Sequence, residues 1–282
     1  MIRVLNAGFF TTIQDKGRVG FAKFGIPISG VMDSYSADLA NHILNNSLDT
    51  ALLEITFGGC SLQFIKNTMI CISGADFSPT VNQMKIPLNT RIFVHNNDVL
   101  SFGTRHFGAF CYLAVKGGFL TEIKFNSRSF FQNITDDFMI RKENLLPFLE
   151  FHDFKSSHAS VKTKKSYFKK TKIKCFKGPE FDLLTKNQQN LLLKNKFTIS
   201  KDMNRTGFHL VEILENNLSQ ILTSAVLPGT VQLTPSGKLI VLMRDCQVTG
   251  GYPRILQLTE KSINIFSQKI TGDTFVFSIL KL

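Results

Sequence analysis

The stretch from Val226 to Pro253, VLPGTVQLTPSGKLIVLMRDCQVTGGYP, constrains the fold more than any other part of this chain. Leu239–Met243 is continuously apolar, which predicts a strand buried on both faces. Ahead of it Pro235-Ser236-Gly237 predicts a tight turn, with Pro presetting φ and Gly free to take positive φ. Behind it come Arg244 and Asp245, then Gln247 and Thr249, and a break at Gly250-Gly251-Tyr252-Pro253. An apolar strand ending in charge and paired glycines is how a rigid scaffold delivers functional groups to a ligand. The same residues also allow a plain hairpin whose polar groups only serve the turn backbone.

Strand signals dominate elsewhere. VLNAGFFTTIQ, ALLEITFGGCSLQFI, TMICISGA, TRIFVHNNDVLSFG, AFCYLAVKGG, INIFSQ and TFVFSIL are β-branched and aromatic runs bounded by Gly, Asn, Asp or Pro. Two segments have helical spacing: Met32–Asn45, with Asp33 or Ser34 available as a cap, and Asp182–Lys194 after Pro179. Short strands every ten or so residues favour an all-β architecture of barrels or sandwiches, with a helix in each half.

Charge marks where the halves meet. The chain has a formal net charge of +12, and residues 154–175 supply eight lysines with no Asp or Glu, leaving +4 for the rest. A nucleic-acid surface would carry Arg as well as Lys, interleaved with stacking aromatics; an all-lysine run is expected to be a solvated connector or a strand edge kept soluble. The expected division is therefore 1–153, a lysine-rich connector at 154–175, and 176–282.

Other classes are excluded by what the sequence lacks. The 282 residues are 43% hydrophobic and 19% charged, as in an ordinary globular protein, and no apolar run reaches the ~18–20 residues of a membrane helix. The first residues show no secretory pattern, so a cytoplasmic protein is expected. Cys60, Cys71, Cys111, Cys175 and Cys246 have neither disulfide nor zinc spacing and are expected to be reduced core thiols. GxxxxGK[ST] and HExxH are absent, no His/Cys cluster has metal spacing, and Gly25–Gly30 is not a GxSxG elbow. No metal is expected.

Two further constellations carry polar chemistry. In Thr11–Gly20 (TTIQDKGRVG) glycines let the backbone turn while Arg18 offers planar donors to a carboxylate or phosphate. Asp15 is placed to orient Arg18 or to act as a base; an Asx-turn leading into the next helix is the structural alternative. In Ser127-Arg128-Ser129 a lone Arg between hydroxyls suits an anion, or a surface turn.

Taken together, TTIQDKGRVGF with GIPISGVMD, ALLEITFGG, ISGADF, YLAVKGG with NSRS, GPEFD, the Arg205-x-Gly207 pair, VLPGTVQLTPSG, LMRDCQVTGGYP and TGD at 271–273 resemble the biotin-dependent-carboxyltransferase-like family nearly end to end. That family includes the C-type chain of 5-oxoprolinase, the Kip antagonist and a domain of urea carboxylase. The resemblance implies a cyclophilin-like β-barrel architecture in two subdomains. It also implies partner chains: a Kip-inhibitor-like B-type chain and a lactam-hydrolase-like A-type chain, which together with the C-type chain open 5-oxoproline to glutamate with consumption of ATP. On that basis Asp245, Asp15 and Arg18 are the expected catalytic residues. Gln14, Arg128, Gln232, Thr249, Gly250, Gly251, Tyr252 and Arg205 are the expected substrate-binding ones.

Departures from the family pattern bear on the substrate. The usual basic position after Arg205-Thr206-Gly207-Phe208 is His209, the residue after Ser129 is Phe130, Asp136-Asp137 stand where glycines are usual, and Leu239 and Arg244 replace a proline and a small residue. Two alternatives therefore stay beside the oxoprolinase reading: a biotin-dependent carboxyltransferase component, and a regulatory protein of the Kip-antagonist kind without catalysis.

Overall fold

The computed structural model describes residues 1–152 and 159–280. The chain forms two compact units, one of Met1–Val19 and Ser29–Lys164, the other of Gly20–Ile28 and Lys165–Leu282.

The described residues of the first unit form strands β1 (Ile2–Ala7), β2 (Phe10–Gln14), β3 (Leu52–Thr56), β4 (Cys60–Phe64), β5 (Thr68–Asp76), β6 (Thr80–Val81), β7 (Met84–Lys85), β8 (Ile92–Val94), β9 (Val99–Ser101), β10 (Phe107–Val115) and β11 (Leu145–Leu146). They make a five-stranded sheet in the order β2-β3-β10-β5-β8 and a six-stranded sheet in the order β11-β1-β4-β9-β6-β7. One apolar cluster draws on both, with Val4 and Leu62 from the second sheet and Ile13, Leu53, Ile72 and Leu113 from the first. β4 alternates buried and half-buried residues, as a strand with one core face should. β5 and β10 are instead buried on both faces, because helix α1 (Ser34–Ile43) packs on their other side. The predicted cap is Asp33, whose carboxylate accepts from the Ser36 N–H (3.2 Å) and hydroxyl (2.6 Å).

The second unit contains β12 (Lys172–Lys177), β13 (Phe197–Met203), β14 (Gly207–Ile213), β15 (Ser224–Ala225), β16 (Thr230–Leu233), β17 (Lys238–Leu242), β18 (Thr249–Gly250), β19 (Arg254–Leu258) and β20 (Thr274–Ile279). Seven of these close a barrel in the order β12-β19-β16-β17-β14-β13-β20, with β12 and β20 parallel. The mainly β fold with a closed barrel expected from the sequence is what forms. β16 and β17 are the hairpin predicted around Pro235–Gly237, closed by the Gly237 N–H donating to the Thr234 carbonyl at 2.9 Å. β15 and β18 pair only with each other.

Of the lysine-rich stretch, residues 154–158 lie outside the described residues. Ala159–Val161 hydrogen-bond along Asn89–Arg91, and Lys172–Lys177 is a barrel strand with Lys172 and Lys174 exposed, Ile173 and Cys175 buried.

Two local expectations need correction. INIFSQ is not a strand; it lies in helix α3 (Glu260–Ser267), which Thr259 caps by accepting from the Ser262 N–H. Residues Ser262–Ser267 are all buried, and a short run buried on every side has no periodicity to distinguish helix from strand. The other predicted helix also begins later: Phe181–Leu183 is a 3-10 turn, and α2 (Lys186–Lys194) starts where Thr185 and Gln188 form a reciprocal capping box.

The five cysteines are buried, and burial pushes the thiols of Cys60, Cys71, Cys175 and Cys246 up to about 12. No helix among the described residues is long and apolar enough to cross a membrane.

The fully buried Phe266 of α3 meets Phe208 and Phe275 at ring-centroid distances of 5.4 and 5.1 Å. Phe266→Ala should lose about 3–5 kcal/mol in chemical denaturation, the range for emptying a large aromatic site; a loss below about 1 kcal/mol would contradict this packing.

Candidate functional site

The carboxylate of Asp15 organises the polar loops of the first unit. It follows directly on β2, at the point where the strand leaves the sheet. Oδ1 accepts from the Gly17 N–H (2.8 Å), the Ser127 hydroxyl (2.6 Å) and the Ser129 hydroxyl (2.7 Å), while Oδ2 accepts from the Arg128 N–H (2.6 Å). Hydrogen bonds to a carboxylate are roughly twice as strong as neutral ones. The Asp15 backbone adds two links, its N–H donating to the Ser129 hydroxyl and its carbonyl accepting from the Val31 N–H. Gly30 packs against this turn at φ +87°, and a Cβ there would lie 3.0 Å from the Asp15 carbonyl oxygen.

The loop that Asp15 holds is also zipped to β2. The Phe130 N–H donates to the Ile13 carbonyl, and Gln14 Nε2 donates to the Phe130 carbonyl and the Thr12 hydroxyl. Arg18 is fully buried and donates to the Ser129 carbonyl, so its guanidinium supports the loop from within. Arg128 differs. Its backbone is fixed by Asp15, yet its half-buried guanidinium has no partner among the described residues. Just before it, Lys124 and Ser127 exchange backbone hydrogen bonds around Phe125 (φ 51°) and Asn126 (φ 59°), a two-residue turn with both central residues left-handed.

Sequence reasoning missed a buried row behind this loop. Thr12, Glu54 and Tyr112 are directly paired across β2, β3 and β10. Glu54, only 1% exposed, accepts from the Met32 N–H at 2.7 Å, and the Tyr112 hydroxyl accepts from the Asp33 N–H at 2.7 Å. Burial and the Glu54 and Asp33 carboxylates hold the Tyr112 phenol well above its ordinary range. The available signal was the lone acid in ALLEITFGG, a charge in an otherwise apolar strand.

In the second unit the predicted residues form two groups. Arg205 clamps Asp245 in a two-bond pair, Nε to Oδ2 at 2.7 Å and Nη2 to Oδ1 at 2.9 Å, with side-chain exposures of 8% and 12%. The Asp245 N–H returns a bond to the Arg205 carbonyl, and the Met243 N–H one to the Thr206 carbonyl. Both carboxylate oxygens of Asp245 are thus engaged in tying two loops together. The other group surrounds the β15–β18 ladder. Thr249 and Gly250 pair with Ala225 and Ser224, the Gly251 carbonyl accepts from the Ile221 N–H, Tyr252 is half-buried, and Gln232 of β16 lies against Gly250. Arg244, at odds with the family pattern, pairs with Glu260 and Asn264 of α3. No group of three or more metal-ligating side chains occurs among the described residues.

These motifs have counterparts in known proteins. Residues 24–279 match the family model described as "Carboxyltransferase domain, subdomain A and B". The chain belongs to this carboxyltransferase-domain family. Among relatives it is 27% identical to the 5-oxoprolinase C chain of Haemophilus influenzae over 302 aligned positions, covering 100% of this chain and 92% of the relative. It is 28% identical to the protein of the same name from Escherichia coli, covering 98% and 90%. The crystal structure of K. lactis urea amidolyase superposes with a TM-score of 0.86 at 27% identity, over 99% of this chain but 19% of that one. The carboxyltransferase domain is therefore a nearly complete chain in some relatives and a small part of a much larger one in others.

Two measurements test the site as described. Asp15→Asn sets an amide N–H against the Arg128 N–H and should cost about 2–3 kcal/mol, the scale of bonds to a charged acceptor; an unchanged denaturation midpoint would exclude the hub. In the second unit Arg254 holds the Glu180 carboxyl below its usual range, donating from Nε, Nη2 and the backbone N–H at 2.8–3.0 Å. A depressed carboxyl stabilises above its unfolded value and loses that contribution as pH falls through the folded one. Glu180→Gln should therefore be less stable than the parent near neutrality by about 2 kcal/mol, with the gap closing below about pH 4. A pH-independent gap would refute the pairing.

Proposed function

We propose that this chain is the C-type component of an ATP-dependent 5-oxoprolinase, acting with an A-type and a B-type chain to hydrolyse 5-oxo-L-proline to L-glutamate in the cytoplasm. The observation that carries the reading is the Arg128 guanidinium: positioned by Asp15 through its own backbone and left without a partner among the described residues. A planar two-donor group of this kind suits a carboxylate, and 5-oxoproline bears one beside its lactam ring. Support also comes from the two relatives named as the C chain of 5-oxoprolinase, whose matches run nearly the full length of both partners.

In the overall reaction the lactam C–N bond breaks, water oxygen adds to the ring carbonyl carbon, and the nitrogen takes a proton. A lactam carbonyl is a poor electrophile, which is the physical reason for coupling its opening to ATP. The sequence has no GxxxxGK[ST], and the N-terminus of α1 is capped by its own Asp33, so neither of these elements supports a nucleotide site on this chain. ATP is accordingly assigned to the complex. The roles left to this chain are to hold the substrate anion at Arg128 and to keep that loop rigid through Asp15, Arg18 and Gln14. Asp245 acts through Arg205 as a positioning residue.

A second reading is favoured by the match to the urea amidolyase structure. It makes the chain a carboxyltransferase component served by biotin carried outside residues 1–282, which contain no Ala-Met-Lys-Met.

Coexpression with A- and B-type chains and assay of 5-oxoproline-dependent ATP hydrolysis separates the two. Arg128→Ala should lower turnover at least 10-fold with an unchanged melting temperature, and Arg128→Lys should restore part of it. Full activity of Arg128→Ala, or hydrolysis by this chain alone, would refute the proposal.

A further inference from the structure

We propose that the cavity between helix α2 and strands β13 and β14 of the second unit binds an alkylammonium group, with the Glu212 carboxylate as its counter-ion. Towards the start of β13 the last residues in register with β14 are Ile199 and its partner Leu210. One residue further, the Thr198 N–H donates to Glu212 Oε2 and the Thr198 hydroxyl to Oε1, both at 2.7 Å. A side chain thus takes the place of a ladder carbonyl, and Glu212 lines a cavity of about 470 Å³. That volume lies within the ~300–1,000 Å³ of small-molecule sites.

The lining is of two kinds. Phe197 belongs to the buried aromatic cluster with Phe275 and Phe277, while Leu191 of α2 and Ile213 of β14 are apolar and 40% and 60% exposed. Glu212 and Asn195 supply polar groups, and the Asn195 amide makes no side-chain hydrogen bond among the described residues. The helix wall is fixed: Gln188 Nε2 donates to the Glu215 carbonyl at 2.8 Å, and Gln188 Oε1 accepts from the Thr185 N–H at 2.8 Å.

Charge selects the occupant. Glu212 has two neutral donors and no cationic partner among the described residues, and no Lys or Arg lines the cavity. The lysines nearby in sequence do not fill that role. Lys186 turns to Gln189 at 3.4 Å, and Lys194 and Lys196 are exposed and make no bond to Glu212. A fixed carboxylate beside apolar surface favours an organic cation, whose stem is buried while its head meets the charge. The Thr198 donors already grip both oxygens as a fork, which is the arrangement a guanidinium uses. An ammonium is a point charge and takes the lone pairs that remain. A metal ion is a poorer match, because no three ligating side chains are grouped among the described residues. The site is independent of the Arg128 reading, which concerns an anion in the other unit.

An amine of this kind arrives as a free diamine or as a lysine side chain of another protein. The test is a titration of the full chain, 15N-labelled, with 1,5-diaminopentane, Nα-acetyl-lysine methylamide and n-pentanol, following the backbone amide signals of Thr198, Leu191 and Ile213. The expected result is a saturable shift with the amines, weakened by salt, and none with pentanol. The tighter amine identifies the source. Glu212→Gln keeps both bonds to Thr198, accepting from the N–H and donating to the hydroxyl oxygen, but removes the charge. It should weaken amine binding about 10-fold or more with an unchanged melting temperature, a combination that a merely structural glutamate would not give. Leu191→Lys sets an ammonium at the cavity wall; it should compete to a similar extent, and serves if Glu212→Gln misfolds. No shift with either amine at tens of millimolar, an equal response to pentanol, or parental binding by both variants would overturn the proposal.

Discussion

A carboxylate partly withdrawn from water must be met by donors, and at Asp15 the donors come from separate parts of the first unit. Gly17 lies in its own turn, and Ser127, Arg128 and Ser129 arrive from more than a hundred residues away, while Val31, leading into α1, is tied to the carbonyl of the same residue. Each donor loses its partner if Asp15 moves, so the three segments hold one another. The same arrangement separates two arginines of similar sequence appearance. Arg18 faces inward and supports the loop, whereas Arg128 is fixed only through its main chain, with no side-chain partner among the described residues.

In the second unit, closure replaces the single hub. Every barrel strand has two neighbours, so no ladder edge is open to solvent, and Gln232 reaches the outer face where an additional ladder covers it. Asp245 and Gln232 illustrate two outcomes for a buried polar group. Asp245 has both oxygens answered by Arg205, which makes it a fastening. Gln232 has a buried donor, Nε2, that no described residue answers.

Much of this was legible in the sequence, and the reasons differ by element. Leu239–Met243 and the runs of β5 and β10 announced buried strands because apolar residues had no polar alternation. Asp33 announced α1 because a short acid before a periodic run has few other uses. INIFSQ misled because a helix buried all round loses the periodicity that would reveal it. Type and motif single out Asp15, Arg18 and Asp245, but type cannot show that a carboxylate is already saturated; that depends on partners about 110 residues away for Asp15 and 40 for Asp245. Glu54 stood out in an apolar strand, yet only pairing with Tyr112 across the sheet gives it a meaning. The close packing of Gln232 against Gly250 was invisible, since nothing in the chain says which side chains a glycine leaves room for.

The parallel seam of the barrel has a consequence for how the protein is made. β20 pairs with β12 on one side and with β13 on the other, so the barrel strand that comes latest in chain order is the one that closes the ring. Until residues 274–279 have left the ribosome, β12 and β13 each present an open edge, and a contact spanning about a hundred residues remains to be formed. The barrel is therefore completed only after nearly all of these residues have emerged, and in that interval its exposed edges are available to any other strand in the cell.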